Sequence, residues 1–354
     1  MGQRLAELIA PVRRLALVGL AKNTGKTEAL AALLRELAVL GRSVGVTSVG
    51  RDGEERDVID RRIEKPRVKL VADSLVATTD ALLRDSGIAY ELVEQTGIRT
   101  PLGKVVIARV LAEGTVEVAG PSAAEDVRAV GEAMGGHGAE HVLIDGALDR
   151  RAASSPAVAD GLVISTGAVL SGNIEEVVEQ TRDAVDLVRL PVVTDTHVRS
   201  AGEQADAGVL VDEDYETVVL PPRFALSSSQ EDVSEMLREH GGVRAFVVSG
   251  AVCEPFLEDL LRARRSTGGA SRITVVASDS TRVFLSRRGP EWYRRQGVAI
   301  ETLEPIALKA ITVNPVAPQS HRFDSRELRE RVEEVARDVP VFDVLDPAYR
   351  ASAG

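Results

Sequence analysis

Apolar residues occur along the chain in two patterns: short continuous runs, and longer stretches with helical spacing. The run at 14–18 ends at Gly19, as a buried parallel strand does. Between 27 and 40 the leucines repeat at i, i+3, i+4 and i+7, which predicts a helix that ends at Gly41. A second apolar run at 43–47 predicts the next strand. The N-terminal segment is therefore expected to form a strand–helix–strand unit.

Strands and helices are predicted to alternate over the rest of the chain. A proline pair and a serine triplet interrupt the alternation between 214 and 230 and indicate a domain boundary. The predicted strands are 141–144, 161–165, 190–193, 245–248, 273–277, 310–313 and 341–344, with a hairpin over 104–118 that turns at Glu113-Gly114; the predicted helices are 123–134, 173–187, 254–265 and 325–337. This order is typical of an α/β protein. We expect a doubly wound parallel sheet in a domain at 1–222, followed by a second, smaller α/β domain at 230–354.

The composition narrows the classes of function. The formal net charge is −11, and aromatic residues make up 3% of the chain. The acidic balance argues against a general affinity for phosphate backbones or anionic membranes, although it leaves room for a local basic patch, and the aromatic residues are too few for a base-stacking surface. The single cysteine, Cys253, excludes an intramolecular disulfide and a cysteine metal cluster. There is neither an apolar run of membrane-spanning length nor a signal-peptide pattern, so we expect a cytoplasmic protein that binds neither nucleic acid nor membrane.

Lysine is rare in this chain, and two lysines share one loop. Of 43 cationic residues six are lysine, and Lys22 and Lys26 both lie in the sequence GLAKNTGKT at 19–27. This loop follows the first predicted strand and precedes the first long helix, which is the context of a phosphate-binding loop. Its glycines allow backbone N–H groups to face an anion, and the helix N-terminus adds partial positive charge.

The expected roles of the loop residues follow from phosphate chemistry. Lys26 is expected to reach the β- and γ-phosphates of a nucleotide, and the hydroxyl of Thr27 is expected to hold Mg²⁺. Lys22 has two interpretations, an additional cation on the γ-phosphate or a solvated loop lysine. The residues expected to bind nucleotide are Gly19, Asn23, Thr24, Gly25, Lys26 and Thr27.

The spacing of this loop is G-x5-G-K-T, one residue longer than the usual G-x4-G-K-[ST]. It resembles the loop of the dethiobiotin synthetase group of P-loop proteins, within a wider class that includes deviant-loop ATPases and molybdopterin-guanine-dinucleotide accessory proteins. Gly19, Gly25, Lys26 and Thr27 match the loop positions of these families. The Thr-Asp-Thr that follows the first glycine in dethiobiotin synthetases is replaced here by the residues at 20–22.

The resemblance covers roughly residues 14–200 and implies a P-loop NTPase fold that binds ATP with Mg²⁺. It favours ATP over GTP, in keeping with the absence of an N-K-x-D guanine motif, and deviant-loop relatives imply a homodimer. The Ile144-Asp145-Gly146 sequence and the Ile-Thr-Val-Asn-Pro segment at 311–315 also give the chain a layout similar to proteins proposed to reactivate cobalamin-dependent aminomutases.

Carboxylates are expected beside the loop. Asp145 follows an apolar strand, and ligands of open α/β sheets bind at that strand edge, so Asp145 is a candidate Mg²⁺ ligand; an ordinary Asp-Gly turn is the alternative. Asp52 follows the second strand and is a candidate both for Mg²⁺ binding and for orienting the attacking group, with a polar turn as its alternative. The candidate catalytic set is Lys22, Lys26, Asp52 and Asp145, and the candidate metal ligands are Thr27, Asp52 and Asp145.

Two asparagines follow other predicted strands. Asn173 begins the helix predicted at 173–187 and is expected to cap it. Asn314 and Pro315 end a strand of the expected second domain and form a turn signal that hints at a pocket-lining loop.

Two classes of function fit these features. The first is a Mg²⁺-dependent ATP-binding enzyme or accessory protein that couples nucleotide binding or hydrolysis to a small-molecule substrate or a client protein. The second is a nucleotide-sensing module that changes conformation without turnover, in which Lys26 matters and Asp52 does not. A scaffold with a degenerate loop is disfavoured by the intact Gly25-Lys26-Thr27 sequence.

Overall fold

The computed structural model describes most of the chain as two compact units. The first unit combines Met1–Arg182 with Ala307–Gly354, and the second is Asp183–Ile306. None of the described helices has the length and apolarity that a membrane span requires. The described residues are 4–50, 67–147, 154–205, 207–240, 242–268, 271–318 and 321–352.

The described strands form one large sheet in the first unit, one five-stranded sheet in the second unit, and two small two-stranded sheets. In chain order they are β1 (Arg14–Gly19), β2 (Val44–Ser48), β3 (Val68–Leu70), β4 (Leu75–Thr79), β5 (Tyr90–Thr100), β6 (Gly103–Val110), β7 (Gly114–Val116), β8 (His141–Ala147), β9 (Gly161–Gly167), β10 (Val209–Asp212), β11 (Thr217–Val219), β12 (Val243–Val248), β13 (Val252–Cys253), β14 (Ile273–Ala277), β15 (Val283–Phe284), β16 (Val298–Thr302), β17 (Leu308–Asn314) and β18 (Val341–Phe342).

The described α-helices range from 4 to 15 residues in length. In chain order they are α1 (Leu5–Leu8), α2 (Lys26–Val39), α3 (Asp80–Ser86), α4 (Ala124–Gly136), α5 (Ile174–Val188), α6 (Thr196–Gln204), α7 (Phe224–Ser227), α8 (Gln230–Glu239), α9 (Glu254–Ser266), α10 (Pro290–Arg295), α11 (Ser325–Ala336) and α12 (Pro347–Ser352).

The large sheet of the first unit has nine strands among the described residues, in the order β18-β17-β9-β1-β8-β2-β4-β6-β5. All pairs from β18 to β4 are parallel, and β6 and β5 are added antiparallel at one border. Leu30, Leu33 and Leu37 of α2 are buried in one core cluster with Leu15 and Leu17 of β1. The helical spacing of these leucines therefore sets which face of α2 lies on the sheet.

The second unit has its own sheet and core. Its strand order is β11-β10-β12-β14-β16, with β12, β14 and β16 parallel. The ring centroids of Phe224, Phe246 and Phe256 lie between 5.9 and 6.1 Å apart. These rings belong to the core cluster of this unit, together with the buried Tyr293. Both units are thus mixed α/β structures, as the sequence predicts.

The division of the chain differs from the predicted one. Strands β17 and β18 belong to the sheet of the first unit, where β17 pairs in parallel with β9. The C-terminal residues therefore return to the N-terminal unit, and the second unit is an insertion rather than the contiguous domain expected at 230–354. The apolar pattern of a strand indicates that it is buried but does not specify which sheet it joins.

Two local predictions were wrong. The 104–118 segment is not a hairpin: β6 pairs with β4 and β5, and β7 pairs with β3 beyond the Glu113-Gly114 turn. The true hairpin partner, β5, is a border strand with many exposed polar residues, so it lacks an apolar run. The 190–193 segment forms only an isolated bridge between Val192 and Thr302.

Candidate functional site

The glycine loop, residues 19–27, connects β1 to α2 and has a shape that its sequence explains. Asn23 and Gly25 adopt left-handed backbone conformations, with φ of 66° and 88°. Thr24 is buried, and its hydroxyl donates to the carbonyl oxygen of Ala21 at 3.0 Å. A Cβ at Gly19 would lie 2.5 Å from that hydroxyl oxygen, so no larger residue fits at this position without a shift.

Two neighbouring strands anchor the loop. The N–H of Leu20 donates to the carbonyl oxygen of Ser165 in β9 at 2.9 Å. The side-chain amide of Asn314, at the end of β17, donates to the carbonyl oxygen of Asn23 at 3.0 Å. A Cβ at Gly25 would lie 3.0 Å from the Cβ of Asn314, which is tighter than ordinary packing. The loop conformation is therefore fixed from the side of β9 and β17.

Lys26 and Asp145 form an ion pair beside the loop. Lys26 is the first residue of α2, and its Nζ lies 2.7 Å from Oδ1 of Asp145 and donates to the carbonyl oxygen of Gly146 at 2.7 Å. The two side chains are 22% and 28% exposed. Oδ1 of Asp145 is itself buried, and its contact with Lys26 lacks the angles of a hydrogen bond; no other described group donates to it.

Thr27 and the first turn of α2 carry polar groups without partners among the described residues. Thr27 is half-buried, and its hydroxyl makes no hydrogen bond to a described residue. The N–H of Ala29 donates to the carbonyl oxygen of Gly25 at 3.0 Å and is the first N–H of α2 to do so within the loop. The N–H groups of Lys26 and Thr27 find no acceptor among the described residues, as is usual in the first turn of a helix.

These groups fit a magnesium nucleotide. Mg²⁺ in such sites is held by one or two protein oxygens together with phosphate oxygens and water, rather than by a full protein cage. The hydroxyl of Thr27 and the buried Oδ1 of Asp145, which lacks a hydrogen bond, are oxygen atoms of the kind that can bind Mg²⁺. In the described part of the chain no three His, Cys, Asp or Glu side chains are grouped as a protein-held metal cluster requires.

A short segment at 118–121 lies against the end of β2, one strand from Asp145. Ser48 is the register partner of Asp145, and its hydroxyl donates to the carbonyl oxygen of Val118 at 3.1 Å and accepts the N–H of Gly120 at 3.0 Å. A Cβ at Gly120 would lie 2.0 Å from the carbonyl oxygen of Ser48, so only glycine allows this approach. The N–H of Gly50 also donates to Pro121 at 2.8 Å. No pattern in the sequence marks this segment as part of the site.

The structure brings together part of the predicted catalytic set. Lys26 and Asp145 meet near the end of β8, and Thr27, a predicted metal ligand, is the next residue of α2. Lys22 is exposed on the loop. Asp52 lies outside the described residues, so its predicted role stays a prediction.

Asn314 is the site residue that the sequence analysis assigned to the wrong domain. Its strand pairs with β9 in the large sheet, which places its amide on the glycine loop. The available signal was the Asn-Pro turn after the apolar run at 310–313. That signal marks a strand end but does not indicate which other strand ends lie beside it.

Asn173 and two histidines of the first unit have partners away from the glycine loop. The side chain of Asn173 accepts the N–H of Glu175 at 3.0 Å, which confirms its predicted capping role. His137 contacts Glu94 at 2.7 Å, whereas Nδ1 of His141 donates to the carbonyl oxygen of Val12 at 2.7 Å. The two histidines therefore do not converge on one ligand.

No protein-family model matches the chain, and a comparison with curated proteins finds no similar sequence.

Proposed function

We propose that this protein is a Mg²⁺-dependent ATP-binding protein with a doubly wound P-loop NTPase core. Nucleotide binding or hydrolysis would be coupled to a small-molecule substrate or a client protein. The observation that carries the proposal is the glycine loop between β1 and α2, with the Lys26 ammonium 2.7 Å from the Asp145 carboxylate at the end of β8.

Three properties of this loop support triphosphate binding. Close contacts leave no room for a side chain at Gly19, and Gly25 has both a close contact and a left-handed backbone. The shape of the loop therefore depends on these two glycines and is not that of a chance turn. The N–H groups of Lys26 and Thr27 face outward from the start of a 14-residue helix, whose dipole favours an anion there. The flexible side chain of Lys26 adds a full positive charge.

The residues divide between the phosphates and the metal. Lys26 and the first N–H groups of α2 would hold the β- and γ-phosphates, and the hydroxyl of Thr27 with the carboxylate of Asp145 would hold Mg²⁺. Bound Mg²⁺ supplies charge neutralisation of the phosphates. ATP is proposed in preference to GTP, and a homodimer is proposed, on family resemblance alone.

The test is thermal unfolding with ATP, ADP, GTP and a non-hydrolysable ATP analogue, each with and without Mg²⁺. A ligand at 100 times its Kd stabilises the folded state by about 2.7 kcal/mol, which raises the melting temperature by a few degrees. We expect a Mg²⁺-dependent shift with ATP and its analogue that exceeds the shift with GTP. The absence of a shift with every nucleotide would contradict the proposal.

Phosphate release distinguishes an enzyme from a switch. Steady release of inorganic phosphate from ATP supports the enzyme or accessory protein. Tight binding of ATP with no release above the buffer rate supports the nucleotide-sensing module instead.

A further inference from the structure

A cavity of about 530 Å³ lies beside the second half of α2 in the first unit. It is lined by residues of α2 and α12 together with Val71, which directly follows β3. Arg35, one of the lining residues, comes nine positions after Lys26 in α2, a distance of roughly 14 Å along the helix. The cavity is therefore separate from the glycine loop, and its volume is in the range of sites for small molecules.

The helical spacing of α2 determines which residues reach this cavity. One stripe of the helix, at i, i+3, i+4 and i+7, lines it and consists of Ala32, Arg35, Glu36 and Val39. Ala32 is buried and small, whereas Val39 is 60% exposed. The stripe thus gives the cavity an apolar side with a charged residue in its middle.

Most of the remaining surface of the cavity is also apolar. Ala38 and Val71 contribute aliphatic groups, and Tyr349 contributes its half-buried ring. The hydroxyl of Tyr349 donates to Oε1 of Glu36 at 2.6 Å, and Oε2 of Glu36 accepts the N–H of Ala6 at 2.9 Å. The carboxylate of Glu36 is therefore buried and already has two donors, which leaves it no free partner for a ligand.

Two guanidinium groups line the cavity without a close ion pair. Arg35 is exposed, and its side chain makes no ion pair or hydrogen bond to a described residue. Nη2 of Arg350 lies 3.9 Å from Oε2 of Glu28, and its Nε donates to the carbonyl oxygen of Val344 at 3.4 Å, which are both long contacts. The last turn of α2 adds a partial negative charge of about half an elementary charge, which two full positive charges outweigh. The cavity therefore favours an anion.

We propose that this cavity binds a small organic anion, a compact apolar body that carries one carboxylate or phosphate group. The apolar walls would hold the body, and Arg35 and Arg350 would hold the anionic group, since a guanidinium binds both kinds of oxyanion in a bidentate manner. Burial of the apolar body would supply part of the affinity. The proposal is independent of the proposed nucleotide function, because none of these residues belongs to the glycine loop.

The experiment measures the Kd of three probes on the full chain, without nucleotide, by ligand-observed saturation-transfer NMR. The probes are benzoate, phenyl phosphate and the neutral benzamide, and inorganic phosphate is the competitor that lacks an apolar body. Benzoate or phenyl phosphate is expected to bind with a Kd of about 1 mM or below, and benzamide at least about fivefold more weakly. The ratio of the first two Kd values shows whether a carboxylate or a phosphate is preferred.

Variants locate the bound probe. Arg35→Ala and Arg350→Ala are each expected to raise the Kd of the anionic probe by about three- to tenfold. Ala38→Phe is expected to fill the cavity and abolish binding, and because Ala38 is exposed the protein should remain folded. Arg326→Ala is the matched control, since this exposed arginine of α11 pairs with Glu330 at 2.7 Å and does not line the cavity; it should bind the probe like the wild type. Thermal unfolding shows whether each variant is folded.

Four results would overturn the proposal. Benzamide that binds as tightly as benzoate would contradict the anionic class of ligand, and equally strong binding of inorganic phosphate would contradict the role of the apolar walls. Binding that persists in Ala38→Phe would place the probe outside this cavity. Absence of binding by every probe up to about 10 mM, with the protein folded, would show that the cavity is not a site of this kind. None of these results bears on the nucleotide function, which is measured separately with ATP.

Discussion

Asn314 holds Asn23 at the tip of the glycine loop from 291 positions further along the chain. Its Nδ2 donates to the carbonyl oxygen of Asn23 at 3.0 Å, and its Oδ1 accepts the N–H of Val316 at 3.1 Å. The side-chain amide of Asn314 therefore uses its donor on the glycine loop and its acceptor on its own turn. The conformation of the N-terminal loop therefore depends on the C-terminal strand β17.

Asn314→Ala is expected to weaken magnesium ATP binding by roughly three- to tenfold, because the left-handed Asn23 loses its external hydrogen bond. The measurement is the Kd of ATP by titration calorimetry. Asn173→Ala is the control, since its amide caps α5 and makes no contact with the loop. It should lower the free energy of unfolding by about 1 kcal/mol and leave the Kd unchanged. Equal changes in Kd for the two variants would contradict the anchoring role of Asn314.

Gly25→Ala is expected to reduce the affinity for ATP by at least about tenfold, since the new methyl group meets Asn314 and the residue keeps a φ of 88°. Gly41→Ala separates the two causes. Gly41 has a φ of 65°, but a Cβ there meets no atom within 4 Å. Gly41→Ala should lower the free energy of unfolding by about 1 kcal/mol and leave the Kd of ATP unchanged. Loss of affinity in both variants would show that backbone strain alone, not the contact with Asn314, matters.

Glu254 is expected to make the stability of the second unit depend on pH. Burial disfavours its charged form, but the hydroxyl of Ser286 and the N–H groups of Ser286, Arg287 and Arg288 outweigh burial and hold the pKa at about 2, below its ordinary 4.5. A depressed pKa stabilises the folded state above the unfolded-state pKa, and this stabilisation is lost as pH falls from about 5 towards 2.

The corresponding measurement is urea unfolding of the wild type and Glu254→Gln between pH 7 and pH 3. The difference in unfolding free energy is expected to be on the order of 2 kcal/mol at pH 7 and to shrink below pH 5. Glu291→Gln is the control, because Glu291 pairs with Arg294 and Arg295 on the surface, where salt screens such pairs. A difference for Glu254→Gln that does not vary with pH would contradict the assignment.

Tyr349→Phe is expected to destabilise the first unit by about 1–3 kcal/mol, because it leaves a buried acceptor without its donor. The hydroxyl of Tyr349 donates to Oε1 of Glu36 at 2.6 Å, and Glu36, which is 1% exposed, also accepts the N–H of Ala6 at 2.9 Å. Tyr215→Phe removes an exposed hydroxyl with no hydrogen bond to a described residue. That variant should stay within about 0.5 kcal/mol of the wild type in thermal unfolding. Similar losses of stability in Tyr349→Phe and Tyr215→Phe would contradict a stabilising role for the hydrogen bond between Tyr349 and Glu36.

Local features of the fold were predictable because each rests on a local cause. The apolar run before Gly19, the leucine spacing of α2 and the strand ending near Asp145 all appear in the structure close to their predicted bounds. The context of the glycine loop was therefore correct from sequence, and so was the capping role of Asn173. These features depend on neighbours within a few residues.

Features that depend on distant partners were not predictable. The return of β17 to the large sheet is a pairing between residues far apart in the chain, such as Thr312 and Ser165, which are 147 positions apart. No local pattern specifies it, and so Asn314 was assigned to the second domain. The approach of Gly120 to Ser48 escaped notice for the same reason: a glycine in sequence does not show which backbone it must approach.

The central claim, that the glycine loop binds magnesium ATP through Lys26, is tested most directly by the Kd of magnesium ATP for the wild type, Lys26→Ala and Lys69→Ala. Lys69 of β3 pairs at 2.6 Å with Glu113, which directly precedes β7, so its variant removes a lysine ion pair of similar length away from the loop. The account predicts that Lys26→Ala weakens binding by about a hundredfold or abolishes it, while Lys69→Ala binds like the wild type. A Lys26→Ala variant that is folded and binds within a few-fold of the wild type would contradict it.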